Sequence, residues 1–286
     1  MRLSCFGHEA RLHEAMNVDK AGRAYWKQLW AAQKPATTRS SRSGSVNYLE
    51  KRFRGFFSEV FADMETSGAK LLEAGCGSST WLPYFASEFG FAVGGIDYTQ
   101  SACDQARANL SRQNVPGEIV CADFFDPPEQ MRQAFDVVFS SGVAEHFTDT
   151  AGCLSSLTEF LKPGGLMITS IPNMRGLCGF VQKLLNRPTF DIHVALDAET
   201  LAAAHERAGL RILRCDYFMS TNFGVVSLNG VATRSPIGLL EKITLAGLIR
   251  FSHLFWIMED FVGQVSPNRI SSPYINCVAR KLEDQN

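Results

Sequence analysis

Glu73, Gly75, Gly77, Asp97 and Asp123 are the residues of this chain whose types and spacing suit chemistry. The apolar pair Leu71-Leu72 leads into the acid Glu73, two glycines alternate around Cys76, and the hydroxyl residues Ser78, Ser79 and Thr80 follow. Glycines placed this way let a backbone turn tightly and approach a ligand closely, because they lack a side chain and tolerate positive φ. Such a strand-to-helix turn is either purely structural or a cradle for a nucleotide-like ligand. The acids downstream favour the cradle. Asp97 closes the next apolar run, Gly94-Gly95-Ile96-Asp97, 22 residues after Gly75. In nucleotide-binding α/β folds an acid at about this distance stands at the tip of the second strand and accepts from ribose hydroxyls. A carboxylate suits that task because it offers two oxygens to two adjacent donors. The third run ends Cys121-Ala122-Asp123-Phe124, where Asp123 can accept from an adenine amino group and Phe124 can cover the ring.

These acids need a scaffold that brings strand ends together. From Ala69 onward short apolar runs alternate with amphipathic stretches. Strands are expected at Lys70–Ala74, Ala92–Ile96, Glu118–Cys121, Phe135–Phe139, Leu166–Ile171, Leu210–Cys215 and Tyr274–Val278, with helices at Thr80–Glu88, Ser101–Gln113 and Thr150–Leu161. A further helix follows Asp197, a good N-cap, and stops at Gly209. Alternating strands and helices mean an α/β chain with a parallel sheet covered on both faces. Such sheets bind ligands beyond the carboxyl ends of their strands.

Four segments are expected: an N-terminal helical cap over 1–68, the core over 69–215, an aromatic insertion over 216–272, and the last strand and tail over 273–286. In the cap, Tyr25, Trp26, Leu29 and Trp30 recur at helical spacing, Pro35 to Ser45 reads as a mobile loop, and Val46 to Met64 resumes the helical pattern. Insertions as long as 216–272 are often lids. Its greasiest stretch, Ile243 to Met258, carries Arg250 and is short for a membrane span of about 20 residues, so it reads as a buried or lid helix, with a membrane-surface helix as the other reading.

Composition narrows the function. A formal net charge of −1 without charge blocks argues against a nucleic-acid surface. The eight cysteines form no C-x-x-C pair, and Cys121, Cys215 and Cys277 lie in apolar runs, so they are expected reduced and buried in a cytoplasmic protein. Met1 to Ala15 shows no secretory h-region. The six histidines are scattered without ligand spacing, so no metal is expected.

With these motifs in hand, the chain resembles the class I S-adenosylmethionine-dependent methyltransferases, in their small-molecule, type 11/12-like branch. Glu73 to Ser79 is similar to the family's acid-x-Gly-x-Gly-x-Gly motif, with serine replacing the last glycine. Asp97 matches the ribose-binding acid and Asp123 the adenine-side acid. Phe135-Asp136-Val137-Val138-Phe139-Ser140 matches the fourth strand, and Leu161-Lys162-Pro163-Gly164-Gly165-Leu166 the turn before the fifth. The resemblance covers about Ala69 to Cys215 and the final strand. It implies a Rossmann-like, seven-stranded, mostly parallel sheet, S-adenosyl-L-methionine as cofactor and S-adenosyl-L-homocysteine as product. It implies cofactor contacts from Glu73, Gly75, Cys76, Gly77, Asp97, Tyr98, Asp123, Phe124, Ser141 and Gly142, with Asp136 bracing the sheet.

The resemblance also implies direct transfer of a methyl group to a small-molecule acceptor, most simply a hydroxyl of a metabolite or natural product. Amine and thiol acceptors, and a cofactor-binding protein without turnover, are the alternatives. His146, in Glu145-His146-Phe147, is either the base for an acceptor hydroxyl or a residue bracing the cofactor loop; an ordinary pKa near 6.5 suits the first role. His193 has the same two readings, acceptor wall or loop brace. Tyr25, Trp26, Trp30, Phe223 and Trp256 are candidate acceptor walls or core, and Tyr48 a candidate partner for the cofactor carboxylate. No strand-four motif for gripping a flipped base is present, and no Tyr/Lys relay of a nicotinamide oxidoreductase is found. Oligomeric state and acceptor identity are not encoded in these motifs.

Overall fold

A computed structural model describes residues 19–32, 44–232 and 235–283. Met1–Ala15, with His8 and His13, and the Pro35–Ser45 loop except for its last two residues lie outside the described residues. The sheet has seven strands, β1 (Lys70–Ala74), β2 (Ala92–Asp97), β3 (Gly117–Cys121), β4 (Phe135–Ser141), β5 (Leu161–Pro172), β6 (Leu210–Phe218) and β7 (Tyr274–Lys281), in the order β3-β2-β1-β4-β5-β7-β6. The pairs from β3 to β5 are parallel, and β7 runs antiparallel between β5 and β6. The order reverses between β1 and β4, so the crevice at this switch point lies beyond Ala74 and Ser141.

Alternate residues of the central strands enter opposite cores, as a period of two demands. Leu71, Val137, Phe139 and Ile168 pack on one face; Leu72, Val138 and Met167 pack on the other. The first face is covered by α2 (Gly44–Val60) and α3 (Trp81–Phe89). Phe53 and Phe57 on α2, with Phe61 just beyond its end, meet Trp81 and Phe85 on α3 in a continuous aromatic cluster. Phe57 is wholly buried, a contribution of about 1.5–3 kcal/mol for such a side chain. The aromatic run in α2 is therefore sheet-covering core. The second face carries α5 (Thr150–Thr158) and α8 (Ala198–Arg207). Asp149 caps α5 by accepting from the Gly152 N–H (3.0 Å), and Asp197 and Thr200 cap α8 reciprocally. Gly209 ends α8 at φ +80°. Asp136 braces the amino ends of the central strands, accepting from the Lys70 N–H (2.8 Å) and from Lys162 Nζ (2.7 Å).

The segment 216–272 departs from the expected lid. Its long helix, α9 (Pro236–Val262), buries Leu245, Ser252, Trp256 and Glu259 against the molecule. Its other side leaves Ile243, Leu254 and Phe261 exposed, so it is not the buried helix that its hydropathy suggests. The remaining helices are α1 (Gly22–Ala32), α4 (Gln100–Arg112), α6 (Leu177–Leu185) and α7 (Arg187–Asp191). Among the described residues no helix is long and apolar enough to cross a membrane. The seven described cysteines are free; Cys121 is exposed and Cys215 half-buried, because both stand on outer strands of the sheet and not in its interior.

Candidate active site

The turn after β1 is built by its glycines. Gly75 and Gly77 have φ of +66° and +42°. A Cβ on Gly75 would lie 2.5 Å from Val143 Cγ2, and one on Gly77 would lie 2.4 Å from the Trp30 ring. The turn therefore nests against the β4 loop on one side and α1 on the other, and only glycine fits either position. The Gly75 N–H bonds back to the Ile96 carbonyl (2.8 Å), tying the turn to β2.

Glu73, Cys76, Asp97, Tyr98 and Phe124 converge with Ser141, Gly142 and His146 around one cavity of about 260 Å³. Glu73 is buried, and burial pushes its carboxyl up to about 8 against the opposing hydrogen bond from Ser79. Ser79 Oγ donates to Glu73 while accepting from the Trp81 N–H (3.0 Å), so one hydroxyl both holds the acid and starts α3. Asp97 is also raised by burial, which outweighs its bonds from Thr99 and Gly77. Thr99 donates to Oδ1 from its N–H (2.8 Å) and its hydroxyl (2.7 Å), and the Gly77 N–H donates to Oδ2 (3.2 Å). These bonds fix the carboxylate at the rim of the glycine turn. Each oxygen of a carboxylate has two lone pairs, so Oδ2 keeps one to offer.

Asp123 does not line this cavity. It is paired with Arg23 of α1, whose guanidinium lies 4.9 Å from the centre of the Tyr98 ring. Its other oxygen takes the Phe125 N–H (3.1 Å). An adenine amino group would have to compete with that ion pair. Gly77 shapes the turn from beneath Trp30. Of the acceptor-wall candidates, Trp26 and Trp30 line the cavity. Tyr25 lies outside its wall, half-buried and bonded to Thr189 and Asn229.

Phe223 and Trp256 are core residues and are corrected as acceptor walls. Phe223 packs with Cys178, Val181 and Leu245. Trp256 stacks on Tyr48 at 5.2 Å and donates its indole N–H to the Thr221 carbonyl (2.8 Å). Tyr48 in turn donates to Glu259 (2.6 Å), away from the cavity, because its helix packs on α9. No residue of 216–272 contributes to the cavity wall among the described residues.

His146 sits at the end of the cavity beyond β4, edge-on to Trp26 with centroids 4.8 Å apart. Its Nδ1 bonds the Ile192 carbonyl (3.0 Å). A carbonyl only accepts, so Nδ1 carries the proton and Nε2 keeps its lone pair. Burial, reinforced by His193, lowers the imidazole to about 3. It is a neutral acceptor at neutral pH. His193 does not line the cavity; it stands behind His146, its Nδ1 bonded to the Thr189 carbonyl (2.7 Å).

Two contributors escaped sequence reasoning. Asp19 lines the cavity and accepts from the Tyr98 hydroxyl (3.2 Å), but a lone acid near a chain's start carries no pattern. Glu145 is buried with Oε2 unpartnered, and only its adjacency to His146 marked it.

Residues 72–169 match the model of a methyltransferase domain, the stretch from β1 to the middle of β5. These residues form a methyltransferase domain of the S-adenosylmethionine-dependent type. A ubiquinone biosynthesis O-methyltransferase of Bradyrhizobium sp. (strain ORS 278) is 32% identical over 109 residues, which are 37% of this chain and 41% of that protein. The chain spans between 41% and 64% of the lengths of the curated relatives it matches. The cyclase SpnF aligns over 93% of this chain and 94% of its own, with a TM-score of 0.57 and 16% identity. Geranyl diphosphate C-methyltransferase from Streptomyces coelicolor A3(2) aligns over 94% and 98%, with a TM-score of 0.55 and 14% identity. These two likenesses speak for the methyltransferase's fold alone.

Proposed function

We propose that this methyltransferase transfers a methyl group from S-adenosyl-L-methionine to a hydroxyl of a small molecule. One observation carries the reading: a single cavity joins the glycine turn, the buried acids Glu73 and Asp97, and His146. The donor set fits the cofactor. Glu73 is a buried carboxyl whose hydrogen-bond partner among the described residues is the Ser79 hydroxyl, which leaves capacity for an ammonium group. Asp97 retains acceptor capacity for a ribose. When bound, S-adenosyl-L-methionine supplies an electrophilic methyl carbon. The protein's part is to hold an acceptor oxygen about 3 Å from that carbon and to exclude water. Trp26 and Phe147 give flat walls for the acceptor beside His146. The His146 imidazole, lowered to about 3 by burial and so far from the 6.5 that suits a base, can orient an acceptor hydroxyl through a hydrogen bond without taking its proton. The O-methyltransferase description of the curated relatives supports oxygen as the acceptor. Free cysteines support a cytoplasmic setting.

The test is calorimetry followed by turnover. S-adenosyl-L-homocysteine binds with micromolar affinity and NADH does not bind; the opposite result ends this reading. With labelled S-adenosyl-L-methionine, phenolic and alcoholic acceptors take the label. Transfer confined to amines or thiols moves the acceptor class, and binding without transfer to any acceptor makes the chain a cofactor-binding protein. His146→Ala lowers turnover by about 2- to 10-fold while leaving the affinity for S-adenosyl-L-homocysteine unchanged, the scale of one orienting hydrogen bond of about 0.5–1.5 kcal/mol. Unchanged turnover would return His146 to a bracing role.

Glu73 gives a pH signature. With its carboxyl at about 8, it is protonated in the ligand-free protein at pH 7. An arriving ammonium favours the ionised form, so the pKa falls on binding and up to one proton leaves. Calorimetry in buffers of different ionisation enthalpy reads that release, and Glu73→Gln abolishes it. Binding heats independent of buffer would place the ammonium elsewhere.

A further inference from the structure

Glu145 and His146 are neighbours in the chain and His193 stands far beyond them, yet the fold brings all three to one point. One ligand atom from each lies within 4.8 Å of the others. Glu145 Oε1 is 3.9 Å from His146 Nε2, and the two imidazole rings are 4.6 Å apart. We propose that these three side chains form a binding site for a divalent transition-metal ion of the zinc or cobalt type, beside the cavity at its His146 wall.

Tautomer geometry carries the inference. His146 and His193 each donate Nδ1–H to a backbone carbonyl, those of Ile192 and Thr189. Both Nε2 atoms are therefore bare and oriented, which is the arrangement by which proteins commonly present imidazole to a metal. The third group is a carboxyl with Oε2 buried and without any hydrogen-bond partner, on a residue only 1% exposed. A buried carboxyl left without a donor is costly, and a cation is the partner that also satisfies two bare nitrogens. The neighbouring ammonium does not fill this role, because Lys20 Nζ is held on the His193 carbonyl (2.7 Å). Two histidines and one carboxylate leave further coordination positions open, as in catalytic and not structural sites. Metal–ligand bonds of about 2.0–2.2 Å would draw the three atoms to about 3.3 Å apart, a closure of roughly 1 Å. Of the three, only His146 lines the cavity, with Glu145 and His193 outside its wall. Any role in the reaction rests on the methyltransferase reading, and a bound ion would act there by fixing the His146 side of the cavity.

Chelator-treated protein titrated with Co²⁺ and with Zn²⁺ tests the site. One equivalent of Co²⁺ per chain should bind and give visible d–d bands, which one equivalent of Zn²⁺ displaces. Glu145→Gln and His193→Ala should each weaken binding by about 100-fold or more, whereas His253→Ala, on α9, should not. Melting curves show whether each variant is folded, and His193→Ala, at a less buried position, serves if Glu145→Gln does not fold. No saturable binding at one per chain, or binding that survives both substitutions, overturns the proposal. S-adenosyl-L-homocysteine calorimetry on the same samples reports the methyltransferase reading separately. Lost homocysteine binding with intact Co²⁺ binding sinks the cofactor reading and leaves the metal site standing.

Discussion

Asp97→Ala lowers the affinity for S-adenosyl-L-homocysteine by about 5- to 150-fold, or about 1–3 kcal/mol. The loss has two sources. The carboxylate would leave ribose donors without an acceptor in a cavity where water cannot fully replace it. It also anchors the turn: Asp97 accepts from the Gly77 N–H and twice from Thr99, so its removal frees both ends of the β2 loop. Asp97→Asn separates the two. It keeps one acceptor oxygen for the Thr99 donors while its amide cannot accept from a second hydroxyl, so its affinity falls between wild type and alanine. Calorimetry gives the affinities, and a melting curve gives the cost to the fold. Equal affinity of all three proteins would remove Asp97 from the ligand.

Gly75→Ala is the second large effect. The residue sits at φ +66°, where a side chain costs about 1–2 kcal/mol. The new Cβ would also stand 2.5 Å from Val143 Cγ2. Valine is stiff at χ1, so the β4 loop itself must move, and forced repacking of that kind costs about 1–3 kcal/mol more. Displacement of Val143 carries Ser141 and Gly142 with it, on the opposite wall of the cavity. The expected outcome is loss of S-adenosyl-L-homocysteine binding by at least tenfold with the secondary structure retained by circular dichroism. Wild-type affinity in the variant would show that the turn does not shape the ligand site. Gly68, also at positive φ but with nothing within 4 Å of a Cβ, is the matched control: Gly68→Ala pays the backbone strain and leaves binding unchanged.

The two substitutions show why the core was legible and the lid was not. Each of the seven expected strands is present, and five have their first residue where the apolar run starts. Buried parallel strands read as continuous apolar runs, and their ends carry the polar residues that face the crevice. Glu73 and Asp97 could therefore be placed together before any coordinates. Asp123 met the same sequence criterion and fell outside the cavity, because Arg23 arrives from α1, 100 residues away in the chain, and takes it. Aromatic residues were the weakest guide. Trp26 and Trp30 reach the cavity while Phe223, Trp256 and Tyr48 fill cores, because an aromatic ring packs equally well against a ligand wall and against its own core.

The chain's own pattern determined a doubly covered, mostly parallel sheet and a glycine turn flanked by acids, because strand burial and positive φ are imposed residue by residue. What faces what was decided only by folding. The ion pair on Asp123, the direction of α9 and the meeting of His193 with Glu145 and His146 depend on contacts between segments far apart in sequence. Local propensity has no term for such contacts, since their energies exist only once distant surfaces have been desolvated against each other.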